Sequence, residues 1–423
     1  MTTILICTVG GSHQPIVTAI KDVRPDFVLF ICTDKDPGTG RPGSNVQITG
    51  NGNCIKASNQ DEKPSLPNIP SQTGLKPDQF DICLTLSDDL DCIYADCCQA
   101  LALLVQRFPS SSFVADYTGG TKSMSAGLIM AALERQDIQL QLVTGSRADL
   151  IKVHDGSQFA AFANIEKIRF ERLIAPYRQA WSRFAYSEAE AGLKDIKAPG
   201  IAGLRSQYAQ FRDLSRAFAE WDNFNHQTAV ELLQNYAPSL PEALKAYLPI
   251  VMRLRDNRQD KREAAQLFDL YLNAKRRAAQ GRYDDAIARI YRLIEWTAQW
   301  VLKFQCGMDT SSIKESDIPE GVVLTQNRDN QYQAGLFAAW QLIKFKTEGP
   351  AAVFIRAEEK ALLNQIKSRN QSILAHGYEP VQQHNWQQLE GWLEAQFIPM
   401  LLAETKQVGI KDLPPQLPRR FEM

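Results

Sequence analysis

Arg369-Asn370-Gln371-Ser372-Ile373-Leu374-Ala375-His376 places a guanidinium and an imidazole seven positions apart. At about 100° per residue this is nearly two helical turns, so both side chains share one face. Ser372 lies between them, and about 10 Å of helix axis separates the ends. Histidine can take and return a proton near neutrality. Arginine can hold a phosphate in bidentate fashion and stabilise charge that develops on it. A base, an acid and a cation are what cleavage of RNA by its own 2′-hydroxyl requires, with no metal ion. Gly377 and Pro380 follow, which predicts a helix ending at His376, where its dipole favours a cationic imidazole. Taken alone, the spacing also fits a surface arginine and a capping histidine.

Asp116-Tyr117-Thr118-Gly119-Gly120-Thr121-Lys122-Ser123 is the second constellation. Glycines admit a ligand close to the backbone, and N–H groups at a helix start face an anion. Lys122 adds a positive charge, and Thr118, Thr121 and Ser123 add hydroxyls. Together they suit a phosphate. Thr121 separates Gly120 from Lys122, so the run departs from the Walker A pattern and argues against a P-loop nucleotidase. The competing reading is a glycine turn with a capping threonine. Gly10-Gly11-Ser12 is a shorter loop of similar chemistry. It would lie beside the first if the strands before them are neighbours.

The elements that must carry these loops alternate. Apolar runs at Thr3–Thr8, Phe27–Cys32, Asp81–Leu86, Ser112–Tyr117 and Ile138–Thr144 read as strands. Helical patterns at Ile16–Val23, Leu90–Arg107 and Lys122–Gln136 lie between several of them. Such alternation predicts a parallel sheet covered on both faces, with a ligand edge at its carboxyl end. The Pro-, Gly- and Asn-rich segment 37–77 interrupts it. There Val46–Ala57 could form a hairpin across Asn51-Gly52, within a segment read as disordered or as a mobile flap rather than as a structured site. From Ile165 onward, apolar residues recur at helical spacing through Ile165–Tyr186, Leu204–Tyr236, Ala264–Gln280 and Tyr283–Phe304. The same spacing continues through Tyr332–Phe345, Ala351–Ala375 and Trp386–Ala403, with a polar loop at Ser311–Asn330.

Composition bounds the class. The chain has 423 residues, 44% hydrophobic and 22% charged, which excludes a wholly disordered or collagen-like protein. No apolar stretch approaches the about 20 residues of a membrane span. No secretory leader is visible, so the expected location is the cytoplasm. Residues 1–165 carry 12 Lys and Arg against 17 Asp and Glu, and the remainder 35 against 31. The basic second part favours an anionic partner, although a charged helical surface gives the same balance. Seven of the eight cysteines precede residue 99 without zinc-ribbon spacing, and read as buried reduced thiols.

The sequence resembles the CARF–HEPN proteins associated with type III CRISPR systems. Asp116–Met124 looks like the ligand loop of their CARF domain, and Arg369–His376 matches the HEPN ribonuclease pattern. Tyr283–Ala298 looks like an early HEPN helix. The resemblance implies a Rossmann-like α/β CARF domain over 1–164, an all-α connector over 165–265 and an all-α HEPN domain over 266–423. It implies a homodimer, with cyclic oligoadenylate, here cyclic tetra-adenylate, as activator and single-stranded RNA as substrate. Gly10, Gly11, Ser12, Thr118, Gly119, Gly120, Thr121 and Lys122 would contact the ring. Arg369, Asn370 and His376 would cut RNA, with no cofactor, metal or membrane involved. The rivals are a sensor with an inactive HEPN scaffold, a nuclease that only degrades the ring, and a nucleotide-binding regulator unrelated to CRISPR.

Overall fold

The computed structural model describes residues 2–50, 66–145, 158–370 and 380–421, with 367–370 as backbone only. The chain divides into two compact units, Met1–Glu171 and Arg172–Met423.

The first unit is built on one sheet. Its strands are β1 (Thr3–Thr8), β2 (Phe27–Thr33), β3 (Phe80–Thr85), β4 (Ser112–Asp116), β5 (Ile138–Thr144) and β6 (Phe159–Phe162). They are ordered β3-β2-β1-β4-β5-β6. The first five are parallel, and β6 closes one edge antiparallel to β5, with Phe162 opposite Gln141. β1 and β2 are apolar throughout because both faces are covered. Ile4 and Ile6 join Leu29, Ile31 and Phe113 on one side. Leu5 and Cys7 join Val28, Phe30 and Val114 on the other.

Among the described residues, five helices lie wholly within this unit: α1 (Gln14–Val23), α2 (Val46–Thr49), α3 (Ile69–Thr73), α4 (Leu90–Arg107) and α5 (Lys122–Leu133). Ile93 and Leu101 of α4 pack with Met124 and Leu128 of α5 on the first face. Ile16 and Ile20 of α1 pack with Ile69 of α3 on the second. Two expectations need correction. The sheet is mixed, because the short Phe159–Phe162 run adds an antiparallel edge strand. The hairpin expected at Val46–Ala57 does not start as one: Val46–Thr49 is a turn of helix, and Asn51-Gly52 lies outside the described residues.

The second unit is helical, and the division at 171/172 falls inside α6 (Glu166–Ser182). There follow α7 (Tyr186–Lys194), α8 (Ala202–Asp222), α9 (His226–Asn235), α10 (Glu242–Lys245) and α11 (Tyr247–Arg253). Next come α12 (Gln259–Ala279) and α13 (Tyr283–Cys306), then a small hairpin of β7 (Thr325–Gln326) and β8 (Tyr332–Gln333). The unit ends with α14 (Leu336–Lys346), α15 (Pro350–Asn370), α16 (Gln383–Trp392) and α17 (Ile398–Thr405). The run of helical spacing over Leu204–Tyr236 is divided between two helices, α8 and α9. Phe224 between them has a φ of 64°, and Asn225 starts the second by accepting from Thr228 N at 3.4 Å.

Two cores hold these helices. Leu267, Ile290, Trp300, Trp340, Ile355 and Phe397 belong to a large apolar cluster running from α12 to α17. A separate aromatic group surrounds Trp181, whose ring lies 5.2 Å from those of Tyr186 and Phe218 and 5.3 Å from that of Phe421. Between them is a buried ionic knot. Asp222 accepts from Arg276 Nε at 2.6 Å and from Asn273 Nδ2 at 3.0 Å, and also pairs with Arg277. Asp269 accepts from Trp221 Nε1 at 3.0 Å and lies 2.9 Å from His226 Nε2. The tail is tied into the same region. Gln416 accepts from Arg276 Nη1 at 2.7 Å, and the Tyr186 hydroxyl donates to the Pro418 carbonyl at 2.6 Å.

Candidate functional site

β1 and β4 are neighbours at the middle of the sheet. From β1 the strand order runs to β2 and β3, and from β4 to β5 and β6. Open α/β sheets bind ligands outside the carboxyl ends of strands at such a reversal. The two glycine loops meet there, as their strand neighbourhood required. Thr8 Oγ1 donates to the Gly119 carbonyl at 2.7 Å. A Cβ at Gly119 would lie 2.1 Å from the Thr8 carbonyl oxygen, and one at Gly10 would lie 2.8 Å from Gly120 N. Gly120 has a φ of 78°, in the left-handed region that glycine enters without penalty. Here the glycines allow one loop to touch the other.

The hydroxyls divide into those the fold uses and those it leaves outward. Thr121 is the N-cap of α5: its Oγ1 accepts from Met124 N at 3.1 Å and donates to the Ser87 carbonyl at 2.5 Å. Thr118 Oγ1 accepts from Val143 N at 2.6 Å, and Thr118 N donates to Asp116 at 3.0 Å. Asp116 also accepts from Gln141 Nε2 at 3.1 Å, and burial pushes its carboxyl above the usual carboxylate range. Gly11, Ser12 and Lys122 are exposed. Lys122 opens α5 and has no hydrogen-bond or ion-pair partner among the described residues. The edge therefore combines a cation, a free hydroxyl and two helix starts, which is chemistry for a phosphorylated ligand.

Gln47 belongs to this edge and had no signal in the sequence, because segment 37–77 has no periodicity. Ser44 and Thr33 exchange two bonds, each 2.9 Å, between backbone N–H and hydroxyl. That clasp holds the segment to the end of β2. It brings Gln47 to the β1 loop, where its Nε2 donates to the Gly11 carbonyl at 3.3 Å. Gln47 is completely buried, and its Oε1 has no partner among the described residues.

In the second unit, Arg369 and Asn370 fall in the last turn of α15. His376, and with it the shared face and the expected helix end, lies outside the described residues. The flanks are well anchored. Glu404 accepts from Ala351 N at 2.9 Å at the start of α15. Glu359 accepts from Gln341 at 2.8 Å and Lys344 at 2.7 Å. Trp392 Nε1 donates to Glu358 at 3.0 Å. Beyond the motif, Val381 N donates to Asp284 at 3.1 Å, at the start of α13. All seven described cysteines are free thiols, with Cys7, Cys32 and Cys97 buried. No helix among the described residues is long and apolar enough to cross a membrane.

The described residues thus form a Rossmann-like sheet with two touching glycine loops in one unit and a mainly helical second unit. Residues 255–397 match the family model of the Csm6 HEPN domain. The chain is similar in fold to Csm6 of Enterococcus italicus, solved bound to cyclic hexa-2′-fluoro-hexa-dAMP. The identity is 14% and the TM-score 0.59, over 98% of this chain and 97% of that one. Can2 from Sulfobacillus thermosulfidooxidans, solved in complex with cyclic tetra-adenylate, aligns over 56% of this chain and 69% of that one. Its identity is 11% and its TM-score 0.24, too slight a likeness to bear on the fold. No curated protein matches the chain. Residues 255–397 therefore resemble the Csm6 HEPN domain, within a chain whose fold is similar to that of a Csm6 protein.

Proposed function

We propose that this protein is a cytoplasmic, homodimeric endoribonuclease that cyclic oligoadenylate switches on. The observation that carries the reading is positional: Arg369, Asn370 and His376 all fall within the residues that match the Csm6 HEPN domain. In this reading His376 moves the proton, Arg369 offsets charge on the phosphodiester and Asn370 orients them. A partner chain supplies the second pair, so that one composite cleft holds both an acid and a base. No metal ion takes part in the chemical step. Functionally, residues 1–164 sense the ring, 165–265 connect and 266–423 cut. The ring is bound at Gly10–Ser12 and Thr118–Lys122. Two of these hydroxyls, on Thr118 and Thr121, support the loops, while Ser12 and Lys122 meet the ligand.

The test uses the pure protein, a fluorogenic RNA and each of cyclic tetra- and hexa-adenylate in the presence of EDTA. Cleavage is expected only with a ring added, with cyclic tetra-adenylate the proposed activator. Replacing His376 or Arg369 by alanine should lower it by about 10²–10⁴, with an unchanged circular dichroism spectrum. Full activity in both variants would remove the motif from catalysis. The exposure of both Ser12 and Lys122 on touching loops favours a second activity at the same edge, slow cleavage of the ring itself. Chromatography of the ring after long incubation reads it directly.

A further inference from the structure

The same corner joins three helix pairs of the second unit, α6–α7, α8–α9 and α12–α13. At Ala185, Asn225 and Arg282 the backbone N–H donates at 2.9 Å to the carbonyl five residues back, on Ala180, Glu220 and Arg277. The residue before each has a left-handed φ, 59° at Phe184, 64° at Phe224 and 74° at Gly281. Three residues into each new helix, Ala189, Ala229 and Ala286 are completely buried. Helix pairs repeated in this way share a core with their neighbours and offer surfaces to extended segments. The end of the chain bonds to all three pairs. Residues 411–421 contain no helix or strand, and among the described residues no backbone-to-backbone bond holds them. Side chains of the body hold them instead. The Tyr247 and Tyr186 hydroxyls donate to the Gln416 and Pro418 carbonyls at 2.9 and 2.6 Å. Arg276 Nη1 donates to Gln416 Oε1 at 2.7 Å, and Gln416 Nε2 donates to the Leu272 carbonyl at 3.0 Å. The Arg419 guanidinium lies 4.7 Å from the centre of the Phe184 ring. The Phe421 ring lies 5.3 Å from that of Trp181 and 4.5 Å from that of Phe211.

Alternate main-chain carbonyls met by hydroxyls, a side-chain amide met at both ends and an aromatic anchor are the means by which a protein recognises an extended peptide. Hollows of about 570 and 290 Å³ adjoin the tail, and Leu413 and Pro414 line both. The tail is thus laid over the helices and not enclosed by them. We propose that these helix pairs form a peptide-binding groove, and that the chain's own tail, Gln416 to Phe421, is a replaceable ligand in it. The partner it fits is an extended segment with a glutamine, a proline two positions on and a phenylalanine three beyond that. Pro414, Pro415 and Pro418 keep such a segment extended before it binds, which lowers the cost of ordering it. The groove is a second interaction site, independent of ring binding and of RNA cleavage.

A cleavage sequence for a specific protease, placed between the exposed Lys411 and Asp412, allows the tail of the folded full-length protein to be cut. A fluorescent peptide with the sequence of residues 412–423 is then added and its anisotropy followed. The cut chain is expected to take up the peptide and release its own tail. The uncut chain, with its groove filled, should take up none. A peptide carrying Phe421→Ala should bind the cut chain about thirtyfold more weakly, as for an anchor residue. One carrying Gln416→Ala should bind about tenfold more weakly, since it leaves Arg276 without that partner. In the uncut chain, Gln416→Ala combined with Phe421→Ala weakens the tail at both contacts and should also admit the peptide, which serves if the insertion disturbs folding. Uptake by neither protein overturns the proposal, because the tail is then a fixed part of the fold. Equal binding of the unaltered and substituted peptides overturns it as well. So does uptake by the uncut wild-type chain, since the peptide then sits elsewhere.

Discussion

At the β1/β4 edge of the first unit, the backbones of two loops are locked together while Ser12 and Lys122 remain exposed. In the second unit, Asp222, Asp269, Arg276 and Arg277 are buried and joined to one another and to Trp221, His226 and Asn273. Both regions are rich in polar groups, yet they use them in opposite ways. In the knot, buried charges face opposite charges, although Arg276 Nη2 and Arg277 Nε keep no hydrogen bond among the described residues, and its residues specify how α8, α9 and α12 assemble. At the edge, glycines and threonines build the frame and leave a cation outward. A polar side chain there that bonds only to its own fold is a support, and one without such a bond is available to a ligand.

Variants of the two regions can break that contrast. The largest effect on stability is expected from Asp222→Ala, which leaves Arg276 and Arg277 buried without their shared carboxylate. Loss of one partner from a buried ion pair is destabilising by about 3–5 kcal/mol, to be read by denaturant unfolding of the intact protein. A loss below about 1 kcal/mol would show that the knot is wet and loosely coupled.

Gly119→Ala comes next. Its Cβ would have to displace the Thr8 carbonyl, and overpacking of this kind is destabilising by about 1–3 kcal/mol. Ring affinity should fall with it, because the loops must separate. Thr121→Ala removes the α5 cap and the bond to Ser87, for about 1 kcal/mol; a thermal melt is sufficient to detect it. Lys122→Ala should change stability by less than about 0.5 kcal/mol and still weaken ring binding measurably. If instead it lowers the melting temperature and spares binding, Lys122 is a support and the division drawn above is wrong at that residue.

Much of this was legible in the residues, for physical reasons that differ by element. Strands buried on both faces, such as Leu5–Cys7 and Phe30–Cys32, declare themselves as unbroken apolar runs. The meeting of Gly10 with Gly120 followed once β1 and β4 were neighbours. β6 was missed because Phe-Ala-Ala-Phe is too short to show a period and is a strand only through its pairing with β5. The break at Phe224 has neither proline nor glycine to announce it, although the flanking Asn223 and Asn225 suit a turn and a cap. Val46–Thr49 was read from the Asn-Gly turn signal beyond it, when the bonds of Ser44 to β2 decide its course. The knot was invisible for another reason. Arg276 and Asp269 look like the charges of any solvated helix until the partner helices are in place. Of the candidate catalytic residues, the sequence spacing remains the argument for Arg369 and His376, since the imidazole lies outside the described residues.

The bonds that tie the tail into the helical unit also set a timetable. Tyr186 and Pro418 are joined across 232 positions, and the Phe421 ring packs edge-on against Trp181 and tilted against Phe211. On a ribosome adding 5–20 residues per second, roughly 12–46 s pass between the synthesis of Tyr186 and that of its partner. Through that interval the part of the aromatic wall that Phe421 covers, at Trp181 and Phe211, stays open, while the α/β unit already has its entire sequence and can fold. The newborn chain therefore passes through a stage with one finished domain and one unsealed aromatic surface, and that surface is where a chaperone would engage it or where two unfinished chains would stick.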